Sequence, residues 1–319
     1  MSDKIAPITN TILLNINDKL QLTALNSQVE KYIHSALSAN TRIAYQNDLV
    51  HFLSWGGSVP ASSEMISQYL ACSANSNAPA TLSRRIVSIN RAHTSQNLPS
   101  PTKSDLVKAT LRGIRRTVGT KQRQVEPLLK DDLVKAVSSL AGLRGCRDRA
   151  LLLIGFAGAL RRSELVGLQF ADIEFVELGL MIYLRHSKTD QEGEGRKIAI
   201  PYGRGMVCPV LALKEWLAIS KICHGPLIRQ VIGNSKVADS ALSTHAVAII
   251  VKKYAALLNL DASKFSGHSL RAGLVTSAAQ AGVSTWKIKQ QTGHKSDVML
   301  NRYIRDAKLF TNNASGLIF

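Results

Sequence analysis

Acidic residues are scarce in this chain. Against 40 Lys and Arg stand only 22 Asp and Glu, so the 319 residues carry a formal charge of +18. A deficit of that size points to a polyanionic partner, nucleic acid before an anionic membrane surface. Long apolar runs are missing too: none approaches the ~18 residues of a spanning helix. The N-terminus shows no signal-peptide pattern, so a soluble intracellular protein is expected. Cys72, Cys146, Cys208 and Cys223 form no C-x-x-C pair. That excludes a zinc ribbon or a disulfide frame and leaves core or surface thiols in a reducing compartment. No H-x-x-x-H spacing and no carboxylate pairing suggests a metal, and no cofactor is expected.

What is present is helical periodicity in a length that suits one large or two ordinary domains. Residues 1–27 are polar and lightly patterned and read as a flexible N-terminal arm. From 28 to 117 the signals are helical. A cap at Asn40 or Thr41 opens a helix with Tyr45, Leu49, Phe52 and Leu53 at i, i+4, i+7 and i+8. Pro60 begins a second helix, ending near Ala71. A third points Leu82, Ile86 and Ile89 inward and Arg84, Arg85 and Arg91 outward; a last one carries Arg112, Arg115 and Arg116. Residues 118–127, with Lys121 and Arg123, have no large apolar periodicity and mark a linker. These eight basic residues are candidates for contact with phosphates or bases; a solvated charged face is the plain alternative.

Residues 128–319 then form a second domain. The apolar run Ala150 to Phe156 reads as buried helix, with Gly155 and Gly158 permitting a break. Arg161 and Arg162 follow, and Ser163-Glu164-Leu165 opens the next helix. Ala171 to Ile200 is the one β region, its strands separated by a polar turn that carries His186 and Lys188. Amphipathic helices over Cys208–His224 and Ser243–Asn259 flank a long polar loop, Gly225 to Ser240. The fold class expected is therefore mainly α with a small antiparallel β-sheet.

The stretch from Ser266 to Tyr303 carries the chemistry. His268 and Arg271 are three apart and share a helical face. Gly293 closes the following helix as a C′ residue, which leaves His294 in a loop before Ser296-Asp297 cap a further helix that bears Tyr303. A phosphodiester gains charge in a pentavalent transition state. Arginine meets that charge with a bidentate fork, tyrosine can attack phosphorus, and histidines can manage protons.

In order, H-S-L-R, G-H-K-S and N-R-Y-I-R resemble the C-terminal signature of the tyrosine recombinases, also called the phage integrase family, in its Cre type. The upstream G-x-x-R-x-S-E-L setting and the N-T-x-x-A-Y-x-x-D-L start resemble the same family. The resemblance implies a two-domain C-shaped clamp, a helical core-binding domain followed by an α+β catalytic domain. It implies a site-specific recombinase that cuts and rejoins strands through a 3′-phosphotyrosyl link and a Holliday junction, without ATP or metal. Its catalytic set would be Arg161, Lys188, His268, Arg271, His294 and Tyr303. Glu164 would support the site, or only favour its own helix N-terminus. Arg162 competes with Arg161 on residue pattern alone, and His186 and Lys197 compete with Lys188. The implied partners are double-stranded DNA with an inverted-repeat target, a homo-tetramer on two duplexes, and accessory proteins, with no membrane. The setting would be the cytoplasm of a bacterium, with a phage or plasmid as a possible source of the gene. The apolar C-terminus, G-L-I-F, would dock on a neighbouring protomer or pack in cis. A type IB topoisomerase-like or telomere-resolving enzyme would use similar chemistry. A non-catalytic architectural DNA-binding protein would explain the charge but not the ordered series of site residues.

Overall fold

The computed structural model describes residues 28, 31–33, 35–120, 124–185, 195–233, 235–294, 296, 300–301 and 303–304. Its elements form two compact units that divide at 123/124. The expected arm at 1–27 and most of the C-terminal tail lie outside the described residues, as do Lys121, Arg123, His186, Lys188 and Asp297.

The core of the first unit is built from helices α1 Ala39–Ser54, α2 Ser63–Ser73, α3 Pro79–Thr94 and α4 Asp105–Val118. Serine side chains set three of the starts. Ser38, Ser62 and Ser104 accept from the backbone N–H of Thr41, Met65 and Val107, satisfying donors a helix leaves open. So α1 begins before Asn40, and α2 begins three residues after Pro60. Phe52, Ile66, Tyr69, Leu70, Leu82 and Ile89 are fully buried and form the core between them. One expectation fails here. Arg85 does not point outward: it is 8% exposed, lies 3.8 Å from the buried Asp48 carboxylate and stacks over the Tyr69 ring. An arginine on the apolar face is tolerated because that carboxylate waits for it.

The second unit begins where Glu126 and Leu128 donate their N–H groups to the carbonyls of Lys264 and Ser269. The expected linker is thus taken up at its C-terminal end, while α4 reaches one residue into its start. Helices α5 Lys130–Ser138 and α6 Gly142–Ala157 follow, then the short α7 Arg162–Gly167. Strands β1 Ile173–Val176, β2 Gly179–Leu184 and β3 Arg196–Pro201 make an antiparallel sheet in the order β1-β2-β3. After α8 Pro209–Ser220 the chain forms a second hairpin, β4 Arg229–Ile232 with β5 Lys236–Ala241. This hairpin replaces the loop expected from Gly225 to Ser240. Its β5 strand is largely exposed, so it lacks the alternation that marks a half-buried strand. Helices α9 Thr244–Leu257, α10 His268–Gln280 and α11 Thr285–Thr292 follow, and Leu300, Asn301, Tyr303 and Ile304 are helical as well.

Helix α6 is the centre of this unit, with Ala150 to Phe156 buried throughout. Gly155 lets α6 approach Leu165 and Leu270: a Cβ there would come 2.9 Å from both. Gly273 has a similar duty on α10, where a Cβ would stand 1.9 Å from the Leu128 carbonyl oxygen. These contacts bring the C-terminal end of α6, the start of α7 and the N-terminal end of α10 together. No helix among the described residues is long and apolar enough to cross a membrane.

Candidate active site

The turn from α6 into α7 builds the first part of the site. Ala159 adopts φ 48°, a left-handed conformation uncommon for a residue with a Cβ. Its carbonyl accepts the Arg271 Nη1 donor at 2.7 Å. Arg161 is the N-cap of α7. Its backbone N–H and its Nη1 donate to the two carboxylate oxygens of Glu164, at 2.9 and 2.6 Å. Glu164 is therefore both the helix cap partner and the counter-ion of Arg161. Arg162 is exposed and runs across Gly267, where a Cβ would meet its side chain at 2.4 Å. Of the adjacent arginines, Arg161 is the one held inward.

Helix α10 supplies His268 and Arg271 from its first turn. Arg271 is 3% exposed, and its Nη2 donates to Nε2 of His294 at 3.2 Å. Burial, then Arg161, pulls the Arg271 pKa down to about 10, so the group stays a cation at neutral pH. His294 follows Gly293, which adopts the left-handed conformation expected of it, φ 65°. The hydroxyl of Thr292 donates to Ile288 O at 2.8 Å and stands 2.7 Å from His294 Nδ1. A hydroxyl has one proton, so Nδ1–H donates to Thr292 and Nε2 is left to accept from Arg271. Accepting at Nε2 needs a neutral ring. Burial, then Arg271 and Arg161, lowers the His294 pKa to about 4. His268 keeps part of its ring open to solvent; desolvation of the rest, then Arg271 and Arg161, moves its pKa down as well.

Arg196 on β3 belongs to this cluster and is absent from the sequence-based set. Its Nη1 donates to Gln291 O at 2.8 Å, and its Nη2 lies 4.0 Å from Glu164. The guanidinium packs on Gly293, where a Cβ would come 2.6 Å from Nη1. Burial is the main cause that lowers its pKa. No sequence signal gives it away, because a strand arginine beside a polar turn reads as solvent-facing. Three guanidinium groups thus share one carboxylate, an excess of positive charge that suits an anion. No group of three or more His, Cys, Asp or Glu side chains that could hold a metal ion occurs among the described residues.

Tyr303 is half-buried. It packs against a small cluster of Val275, Ala279, Ile288 and Leu300. Lys188 and its competitor His186 lie outside the described residues; the other competitor, Lys197, is exposed and sits 5.5 Å over the Tyr183 ring. In the first unit Arg84 forms a bidentate pair with Asp48, and Arg91 lies 5.5 Å over the Tyr45 ring. Arg112, Arg115 and Arg116 are exposed on α4, with Arg115 donating to the Ser83 hydroxyl at 3.0 Å.

Comparison with known proteins gives the same picture. The model of the phage integrase family matches residues 120–309. The integrase/recombinase xerD homolog of Selenomonas ruminantium is 38% identical over 98% of this chain and 94% of its own length. The recombinase cre of Escherichia phage P1 is 27% identical, covering 77% of each chain. Among solved structures, XerH site-specific recombinase bound to a palindromic difH substrate shares the fold with a TM-score of 0.60. Its identity is 18%, over 88% of this chain and 78% of that one. A lambda integrase dimer bound to a COC′ core site gives 0.59 at 18% identity, over 88% of this chain and 94% of that one.

Proposed function

Because the chain belongs to the phage integrase family, and so is a tyrosine site-specific recombinase that binds double-stranded DNA and cuts and rejoins it, we propose that its chemistry runs through Arg161, Lys188, His268, Arg271, His294 and Tyr303. The observation that supports this reading best is the meeting of Arg161, Arg271 and His294 around the turn at Ala159, with His268 on the first turn of α10 beside Arg271 and Tyr303 packed on a cluster that includes Val275 of the same helix.

Arg161 and Arg271 hold the scissile phosphate, and their fixed donors stabilise the charge that grows on its oxygens. Each is already oriented without DNA, Arg161 by Glu164 and Arg271 by the Ala159 carbonyl, so little reorganisation is needed on binding. The Tyr303 oxygen forms a bond to phosphorus while the bond to the 5′ oxygen breaks. The phenolic proton leaves to a base, for which His268, kept neutral by its surroundings, is the candidate. Lys188 gives a proton to the departing 5′ oxygen. When Arg271 turns toward a phosphate oxygen, Nε2 of His294 is free to accept from the Tyr303 hydroxyl and position it, or, once it takes up a proton, to donate to the phosphate. The 5′ hydroxyl of a partner strand then attacks the phosphotyrosine and releases Tyr303. The covalent link conserves the energy of the phosphodiester. Exchange of both strands requires two rounds through a Holliday junction, which suits a tetramer on two inverted-repeat sites, with the C-terminal tail docked on a neighbour and accessory proteins setting direction. The work takes place wherever the cell keeps its DNA, in a bacterium the cytoplasm.

The test is capture on nicked suicide duplexes. The wild-type chain leaves a covalent band on a denaturing gel, and Tyr303→Phe binds the same duplex and leaves none. Salt-sensitive binding by the wild type with no covalent band on any duplex, its own recovered sites included, would move the reading to an architectural protein.

A further inference from the structure

The first unit carries an arginine that is prepared in a way a phosphate contact does not require. Asp48 on α1 is 2% exposed. Its carboxylate accepts from Arg84 Nε at 2.7 Å and from Arg84 Nη2 at 2.8 Å, and the Ser88 hydroxyl adds a bond at 3.1 Å. Arg85, at 3.8 Å, closes the other side. The Arg84 side chain is nevertheless 49% exposed. The carboxylate therefore takes the Nε edge of the fork, fixes the guanidinium plane, and leaves the terminal Nη1 and the outer proton of Nη2 facing out.

The rest of α3 shows what that fork faces. Ala80, Arg84, Val87 and Arg91 are exposed and fall at i, i+4, i+7 and i+11, one face of the helix. Leu82, Ile89, Ala92 and His93 are buried on the other face. A helix face with a small residue, two arginines and an apolar side chain between them has the width and chemistry of a major-groove reader. Arginine pairs there with guanine O6 and N7, and an apolar side chain meets the thymine methyl. A phosphate asks for charge and tolerates a mobile donor. A base edge asks for a fixed plane. The Asp48 carboxylate behind Arg84 supplies that fixed plane while the side chain stays half exposed.

We propose that Arg84, held by Asp48, reads a guanine in the major groove of the target and is a specificity-determining residue of this recombinase. The proposal rests on the recombinase reading, since it needs a specific duplex. Asp48 is a positioning residue: it acts on DNA only through Arg84.

The test is selection of sites from a random duplex library by the full chain, run in parallel for wild type, Arg84→Ala and Asp48→Asn. The wild type recovers a half-site with guanine at one position. Arg84→Ala flattens that position alone, with a loss of about 10- to 100-fold in preference for guanine, and keeps the remaining positions. Asp48→Asn weakens the same position and no other; because both changes disturb a pair built on a buried carboxylate, the thermal melts of both variants are recorded and sites are selected below the lower midpoint. An Arg84→Ala chain that binds every site more weakly but recovers an unchanged motif marks a phosphate contact and overturns the proposal. So does one with affinity and motif both unchanged, which marks a structural ion pair. A wild-type chain that recovers no motif overturns the site-specific reading itself, and the base contact with it.

Discussion

Glu164 decides how three arginines live in one place. It caps α7, pairs with Arg161 at 2.6 Å and faces Arg196 at 4.0 Å, with Arg271 in the same field. Removing it leaves buried guanidinium charge without a counter-ion. We expect Glu164→Ala to lose about 3 kcal/mol of stability, read as a lower midpoint in denaturant, and a chain of unchanged midpoint would contradict the assignment. His294 sets an acid limit. Folded, it stays neutral down to about pH 4; unfolded, it takes a proton below about 6.5. Between those values the unfolded chain binds more protons, so stability falls as pH falls through this window. The wild type should lose more thermal stability between pH 7 and pH 5 than His294→Gln does. Parallel loss in both chains would show that the imidazole is not held neutral. Most of this site is legible in the residues, since helix starts and stops carry local signals: Gly293 does end α11 and free His294. Arg196 and Asp48 are not legible. Their partners lie 95 and 36 residues away, and a charged side chain gives no local sign of which distant group it meets.

At the scale of elements, two glycines and one strained turn set the positions of the groups proposed to be catalytic. Gly155 and Gly273 let α6, α10 and the segment at Leu128 touch, and Ala159 at φ 48° aims a carbonyl at Arg271. Gly273→Ala would drive a methyl group to within 1.9 Å of the Leu128 oxygen. The backbone must shift to relieve that overlap, and we expect a cost of about 1–3 kcal/mol and a thermal midpoint lower by several degrees. A midpoint equal to wild type would mean that the segment moves freely. Helices were the easier half of the fold to read, because apolar spacing such as Leu49, Phe52 and Leu53 speaks directly of a buried face. The β4-β5 hairpin was hidden, as its second strand buries little and follows polar residues. Serine caps moved helix starts away from the proline and threonine that composition suggested.

For the whole molecule the governing quantity is charge. With +18 spread over 319 residues, duplex binding should weaken steeply with salt, at about 0.9 in log–log slope for each phosphate neutralised. Arg112, Arg115 and Arg116 are exposed on α4. Replacing all three with Ala should reduce the slope by about 2 to 3 while leaving the selected sequence alone; an unchanged slope would take α4 off the DNA. The central claim is chemical, however: one tyrosine holds the cut strand. Its most direct measurement is digestion of the covalent complex from a suicide duplex, followed by mass spectrometry of the DNA-linked peptide. The account predicts a 3′-phosphate ester on Tyr303 and no adduct from Tyr303→Phe. An adduct on any other residue, or covalent capture that survives Tyr303→Phe, would contradict it.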